Sequence, residues 1–244
     1  MTVASHRLAS KTAAEEIYAY RRAMNDFTLD RERSALLVVD LQNGSCDPSC
    51  GWFPAYTAIG YGEVMAAYRA RVEGRVLPNV RRLQDAFRSV RADVLFLTVG
   101  TITGDLSDMP DRFQRSYRYW EARGVRPPYA KAGTREMAVM DAVAPGPGEP
   151  VIQKTGYSGF TGTTLERVLF NKAVRQIVFC GVATDACVEA TLRDAVDRGF
   201  DCVAVEDACA AATDESHQRG MQSMAAFARI ATADEVMKEL LGAS

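Results

Sequence analysis

Apolar residues recur along the chain with two different periods. Short, nearly unbroken apolar runs occur at Ala35–Asp40 (ALLVVD), Asp93–Gly100 (DVLFLTVG), Pro150–Lys154 (PVIQK), Gln176–Gly181 (QIVFCG), Asp201–Asp207 (DCVAVED) and Ala228–Ala231. Runs of this length, bounded by Gly, Pro or Asp, read as buried strands. Between them the pattern turns helical at Tyr61–Val90, Ala132–Val143, Thr164–Lys172, Asp214–Phe227 and Ala233–Leu241, with Gly74 and Pro78 dividing the first into two pieces. A further helix begins at Cys187. Val188, Leu192, Ala195 and Val196 fall on one side of it and Glu189, Arg193, Asp194 and Arg198 on the other. Thr184 or Asp185 is the expected N-cap and Gly199 the expected stop. Strands alternating with helices specify βαβ units. The expected fold is therefore α/β, a three-layer αβα sandwich on a mainly parallel sheet of about six strands.

Two stretches read as loops, Leu41–Pro54 and the longer Thr101–Ala130. A structureless connection as long as the second is usually functional or disordered. Its aromatics (Phe113, Tyr117, Tyr119, Trp120, Tyr129) argue against disorder. Residues 1–33 read as an N-terminal arm. Its amphipathic helix, Lys11–Phe27, runs through Ala14, Ile17, Tyr18 and Met24 and lies on the domain or on a neighbouring subunit. Residues 34–244 read as one domain.

Composition narrows the chemistry. A net charge of −2 gives no reason to expect nucleic acid or an anionic membrane as partner. No apolar run approaches a membrane span, and the first residues lack the apolar core of a secretory signal, so a cytoplasmic location is expected. Six cysteines are too dilute for a disulfide scaffold. Cys46 and Cys50 form a C-x3-C pair for which zinc or a local disulfide is a minor reading. With only His6 and His217 in the chain, no histidine-based metal site and no cofactor are expected, and a Cys–His dyad would need His217. A carboxylate is the more natural base for an activated cysteine.

In open parallel sheets, ligands bind outside the carboxyl ends of strands. Asp40 closes the first strand, Lys154 closes the third, and Cys187 follows the fourth at a helix start. Taken singly, each reads as a cap, a solvated lysine or a small buried residue. Together they would set an acid/base, a cation and a thiol over one sheet edge. A helix N-terminus and a nearby cation lower a thiol pKa and are expected to make thiolate the main form of Cys187.

These residues carry a resemblance. ALLVVDLQN (35–43), VIQKTGYSGFTGTTLERVL (151–169) and VFCGVATDACVEATLRDAVDRGFD (178–201) are similar to the isochorismatase-like cysteine hydrolases, from about residue 33 to the end. The resemblance implies a Rossmann-like fold and an Asp40–Lys154–Cys187 triad. It also implies a cis peptide between Val182 and Ala183, an oxyanion hole from the Ala183 and Cys187 N–H groups, and homo-oligomers, dimers or tetramers. Nicotinamidases of this superfamily carry histidines after the aspartate strand, and this chain has none there. The complete Asp–Lys–Cys set points to C–N hydrolysis of a small amide or ureide through a thioester on Cys187, with ammonia released, in the manner of the N-carbamoylsarcosine, ureidoacrylate and biuret hydrolases. Asn43, Tyr157, Phe160 and Phe227 are the candidate substrate-binding residues. An arginine of the long loop (Arg112, Arg115, Arg118, Arg123 or Arg126) is a candidate for a substrate carboxylate, although solvated surface is the simpler reading of each. The alternatives are vinyl-ether hydrolysis of the isochorismatase type and a non-catalytic thiol sensor or binding module.

Overall fold

A computed structural model describes residues 13–242. The expected helix start at Lys11, the side chains of Ala14 and Tyr18, and His6 lie outside the described residues. In chain order the elements are α1 (Ala13–Met24), β1 (Ser34–Val39), α2 (Asn43–Cys46), α3 (Trp52–Ala58), α4 (Gly62–Arg71), α5 (Leu77–Ser89), β2 (Asp93–Val99), α6 (Asp111–Glu121), β3 (Val151–Lys154), α7 (Leu165–Asn171), β4 (Gln176–Val182), α8 (Glu189–Asp197), β5 (Asp201–Ala210), α9 (Asp214–Met224), β6 (Arg229–Ala231) and α10 (Ala233–Leu241).

The six strands form one sheet in the order β3-β2-β1-β4-β5-β6, and every pairing is parallel. The chain runs outward from β1 through β2 to β3, returns to the centre at β4, and runs the other way through β5 to β6. The point of reversal lies between β1 and β4, where α/β sheets leave a crevice at their carboxyl edge. Val39, the last residue of β1, pairs with Leu97 on one side and with Gly181 on the other, so β1 stops just short of the ends of β2 and β4.

Alternate strand residues feed two separate cores, as the pleat requires. Leu36, Val38, Phe96, Val178 and Val203 face α4, α5 and α10. Leu37, Val39, Leu95, Phe179 and Ala204 face α7, α8 and α9. Gly181 has φ +115°, and a Cβ there would lie 2.0 Å from the Val39 carbonyl oxygen. Only glycine lets β4 approach β1 so closely next to the irregularity in its pairing with β5.

Several local expectations are corrected. The region of Gly74 and Pro78 does not divide the helix: a π-turn at Val72–Val76 joins α4 to α5. Pro78 sits in the first turn of α5, where a missing N–H costs little. The stretch 101–130 contains α6, with Phe113 and Trp120 buried on one face. Leu41–Pro54 holds α2 and the first turn of α3. Residues 132–143 are not a helix but two short 3₁₀ turns, Arg135–Met137 and Asp141–Val143. Their connecting backbone is held extended by Asn43 N–H donating to Ala138 O at 2.9 Å and Met140 N–H donating to Leu41 O at 2.9 Å.

Candidate active site

The site is built at the carboxyl edge where the sheet reverses. Asp40 follows β1 with φ +51°, a left-handed conformation uncommon for a residue with a side chain. Its N–H donates to Leu97 O at 3.0 Å, which anchors it to β2. Gln42 completes the anchor: its side chain donates to Val99 O at 2.9 Å and accepts from Val99 N–H at 2.6 Å. Gln42 lies within the ALLVVDLQN stretch but carried no expected role. A buried glutamine two residues past a strand-end aspartate was its only signal.

Lys154, at the end of β3, reaches across β2 to this corner and is 1% exposed. Its Nζ donates to Cys187 Sγ at 3.2 Å and to Gly156 O at 3.0 Å, and lies 2.8 Å from Asp40 Oδ2. The last contact is a charge pair rather than a directed bond, because neither Asp40 oxygen receives a well-aligned hydrogen bond among the described residues. A buried carboxylate with spare acceptor capacity is unusual and calls for a partner. Burial works against the Lys154 ammonium, but Asp40 and then Cys187 outweigh it, and the lysine pKa is raised.

Cys187 lies in a π-turn, Thr184–Val188, that leads into α8. The expected side-chain N-cap at Thr184 or Asp185 is not formed. Ala183 occupies the cap position, and the Thr184 hydroxyl is 2.8 Å from His217 Nδ1. Gly199, with φ +81°, does end the helix unit. The Val182–Ala183 peptide bond is cis. The Ala183 carbonyl accepts from the N–H groups of Ala186 and Val188 and passes over that of Cys187. The Thr191 hydroxyl donates to Cys187 O at 2.6 Å and accepts from Gly159 N–H at 3.0 Å, tying the 155–163 loop to the cysteine turn.

The charge state of Cys187 departs from expectation. Burial pushes the thiol pKa up, the Asp40 charge pushes it further, and Lys154 offsets only part of this. Together these effects favour the thiol over the thiolate. A helix start does not outweigh desolvation at a site this enclosed.

Above the trio is a cavity of about 650 Å³, with Asp40, Cys187, Val182 and Ala183 among its lining. Tyr157 lines it as well; Asn43, Phe160 and Phe227 do not. Asn43 opens α2 and spends its amide on Arg135 O at 3.0 Å. Phe160 is turned into the core against Phe200, 6.1 Å between ring centroids. Phe227 lies under the Arg193 guanidinium at 4.3 Å. Of the loop arginines, Arg112 and Arg115 line the cavity. Arg123 stacks on Tyr119 at 3.5 Å, Arg126 pairs with Glu136 at 3.0 Å, and Arg118 is exposed. Much of the remaining wall comes from aromatics of α3, of α6 and of the segment after it, Trp52, Tyr56, Trp120 and Tyr129 among them. Their contribution is invisible in sequence because three distant segments supply one surface. All six cysteines are free, and Cys46 and Cys50 form no disulfide. Among the described residues no group of three His, Cys, Asp or Glu side chains is placed to hold a metal ion, and no helix is long and apolar enough to cross a membrane.

The molecule is thus a doubly wound parallel α/β sheet with a buried carboxylate, ammonium and thiol under a cavity at its switch point. The chain belongs to the isochorismatase family: the family model "Isochorismatase domain" matches residues 34–235, and the protein is an isochorismatase-family hydrolase. Ureidoacrylate amidohydrolase RutB of Rhizobium rhizogenes is 28% identical over 190 residues, 74% of this chain and 72% of that protein. The RutB of Acinetobacter baylyi is 29% identical over 204 residues, covering 80% and 78%. Among solved structures, a cysteine hydrolase from Pseudomonas syringae pv. phaseolicola superposes with a TM-score of 0.72 at 24% identity, over 90% of this chain and 97% of that one. N-carbamoylsarcosine amidase from Thermoplasma acidophilum superposes with a TM-score of 0.59 at 24% identity, over 83% and 97%. These two likenesses concern the fold.

Proposed function

We propose that this hydrolase cleaves the C–N bond of an amide or ureide and releases ammonia, with Asp40, Lys154 and Cys187 as its catalytic residues. The observation that carries the proposal is the placement of Lys154 Nζ 2.8 Å from Asp40 Oδ2 and 3.2 Å from Cys187 Sγ, all buried beneath the cavity. The similarity to ureidoacrylate amidohydrolases supports ureides as the substrate class.

The mechanism follows from the charge states. The Cys187 thiol gives its proton to Asp40 as Sγ attacks the scissile carbonyl, and the Lys154 ammonium stabilises the sulfur charge that develops. The N–H groups of Ala183 and Cys187 hold the oxyanion, and one such donor is typically worth about 3–4 kcal/mol of transition-state stabilisation. Protonated Asp40 then donates to the departing ammonia. This leaves an acyl group on sulfur, a thioester from an amide or a thiocarbamate from a ureide. Asp40, again a carboxylate, takes a proton from the water that cleaves it, and the returned proton restores the thiol.

The test is ammonia release from ureides and primary amides, including ureidoacrylate, N-carbamoylsarcosine, biuret and maleamate alongside bulkier ureides, by wild type and by Cys187→Ser. Release from at least one ureide that the variant does not support is the expected result. A Cys187→Ser protein as active as wild type refutes the proposal.

A further inference from the structure

The cavity is larger than a small ureide needs. Its volume of about 650 Å³ lies in the range of roughly 300–1,000 Å³ typical of pockets that enclose drug-sized ligands. Its walls are unevenly composed. Trp52, on α3, stacks with Tyr56 at 5.6 Å and meets Trp120 and Tyr129 edge-on at 6.3 and 5.4 Å. Tyr56 in turn meets Trp120 edge-on at 5.3 Å. These four rings come from α3, from α6 and from the segment after it, and all line the cavity that holds Cys187. Packed against one another, these rings form a continuous apolar wall that suits a planar or apolar group laid against it.

Charge selects further. Asp40 is the only acidic residue in the lining, and it belongs to the reacting trio. The cations in the lining are Arg112 and Arg115. Arg115 is paired with Asp111 at 3.4 Å. Arg112 has no ion-pair or hydrogen-bond partner among the described residues. Aromatic cages also take quaternary ammonium groups, but two guanidinium groups in the wall oppose a cation. An unpartnered guanidinium is a ready receptor for a carboxylate.

Resting on the amidohydrolase reading, we infer that the substrate is an aryl-bearing anion: a ureide or amide whose planar aromatic group packs among Trp52, Tyr56, Trp120 and Tyr129 and whose carboxylate pairs with Arg112. Arg112 and the aromatic wall set specificity, while the strand-end trio supplies the chemistry. The wall is contributed by helices inserted between strands, so substrate size changes without disturbing the sheet edge.

Three matched probes separate the components. N-carbamoylphenylalanine, as each enantiomer, carries both the ring and the carboxylate. Phenethylurea lacks only the carboxylate, and N-carbamoylglycine lacks only the benzyl group. Initial rates of ammonia release are measured with wild type and Arg112→Gln. Binding of N-carbamoylphenylalanine to Cys187→Ser is followed separately by calorimetry. The preferred enantiomer is expected to exceed N-carbamoylglycine in kcat/KM by roughly 10- to 100-fold, the worth of burying one aromatic group. Arg112→Gln is expected to lower kcat/KM for N-carbamoylphenylalanine about tenfold more than for phenethylurea, the worth of a charged hydrogen bond. Equal wild-type rates on all three probes, or an Arg112→Gln effect that is the same with and without the carboxylate, overturns the inference and leaves the hydrolase reading in place. Tight binding of N-carbamoylphenylalanine with no ammonia release from it or from any ureide or amide of the wider set overturns the hydrolase reading and leaves the recognition in place. The absence of both binding and turnover of N-carbamoylphenylalanine overturns the inference.

Discussion

Asp40→Asn separates the two duties assigned to Asp40 and predicts effects of opposite sign on hydrolysis and on thiol reactivity. The carboxylate lies 2.8 Å from the Lys154 ammonium. At an effective dielectric constant of about 20, that separation corresponds to a Coulomb attraction of about 6 kcal/mol, much of which offsets desolvation. Removing one partner of a buried pair typically costs about 3–5 kcal/mol. For a chain of this size that is a fall in Tm of roughly 6–20 °C. Turnover should drop about 10²- to 10⁴-fold with the loss of the proton acceptor. The Cys187 thiol should nevertheless become more acidic, because the charge that raises its pKa is gone while Lys154, which lowers it, remains. Iodoacetamide at pH 7.5, with the Cys187 adduct located by mass spectrometry, should label Asp40→Asn faster than wild type and Lys154→Met more slowly. The double variant should lose less stability than the sum of the singles, since neither charge is then left buried alone. Slower labelling of Cys187 in a folded Asp40→Asn protein, judged by far-UV circular dichroism, would refute the electrostatic account and make Asp40 a promoter of thiolate in the resting enzyme.

Alkali should destabilise the protein. Burial holds Cys46 and Cys209 up at about 12 and pushes Cys180, Cys187 and Cys202 above the ordinary thiol range. Raised folded-state values mean that the native chain keeps protons the unfolded chain releases. Stability is therefore full below about pH 8.5, the unfolded thiol value, and falls as pH rises towards 12, with each thiol contributing at most about 1.4 kcal/mol per pH unit. Urea midpoints that stay constant from pH 7.5 to 10 would contradict this. Gly181→Ala places a methyl 2.0 Å from Val39 O at φ +115°; it should cost several kcal/mol, of the order of 3 or more, and a thermal melt within 2 °C of wild type would disprove the tight approach of β4 to β1. The exposed Ile17, Tyr20 and Met24 on α1 make the arm a proposed contact between copies of the chain. Deleting residues 2–24 should lower the mass measured by light scattering to that of a smaller assembly, and an undiminished subunit number would remove the arm from the interface.

How much of this was legible in the sequence depends on how local each signal is. The central strands were readable because they are buried on both faces and so appear as apolar runs rather than alternations, Ser34–Val39 and Gln176–Val182 being buried throughout. The sheet edge was readable because Asp40, Lys154 and Cys187 each sit at or just past the end of such a run. Helix α6 carries Phe113, Tyr117 and Trp120 at helical spacing, but with Arg112, Arg115 and Arg118 interleaved its apolar stripe is thin. The 132–143 segment shows the reverse error: its helix-compatible composition is overridden by hydrogen bonds to Leu41 and Asn43, ninety or more residues earlier. Position within a motif also says little about direction. Tyr157 and Phe160 are three residues apart in one loop, yet one lines the cavity and the other is buried in the core against Phe200.

The resting thiol has a consequence for selectivity as well as for chemistry. A cysteine kept as thiolate by a cation reacts with any electrophile that reaches it. Here desolvation and the Asp40 charge favour the thiol form of Cys187, and Lys154 is already committed to Asp40, to the sulfur and to Gly156 O. On the proposed mechanism the nucleophile forms only as the proton passes to Asp40, and that transfer is favourable only when a carbonyl oxygen sits where the Ala183 and Cys187 N–H groups can take the charge that would otherwise stay on sulfur. Binding among the rings of α3 and α6 therefore does more than choose a substrate. It would expel water from the trio and so strengthen the Lys154–sulfur attraction at the moment charge develops. A substrate too small to fill the cavity leaves that water in place, so truncating the aryl group should lower kcat as well as raise KM. A truncated ureide that lost affinity alone, with kcat intact, would show that the wall contributes binding and the sheet edge the whole of catalysis.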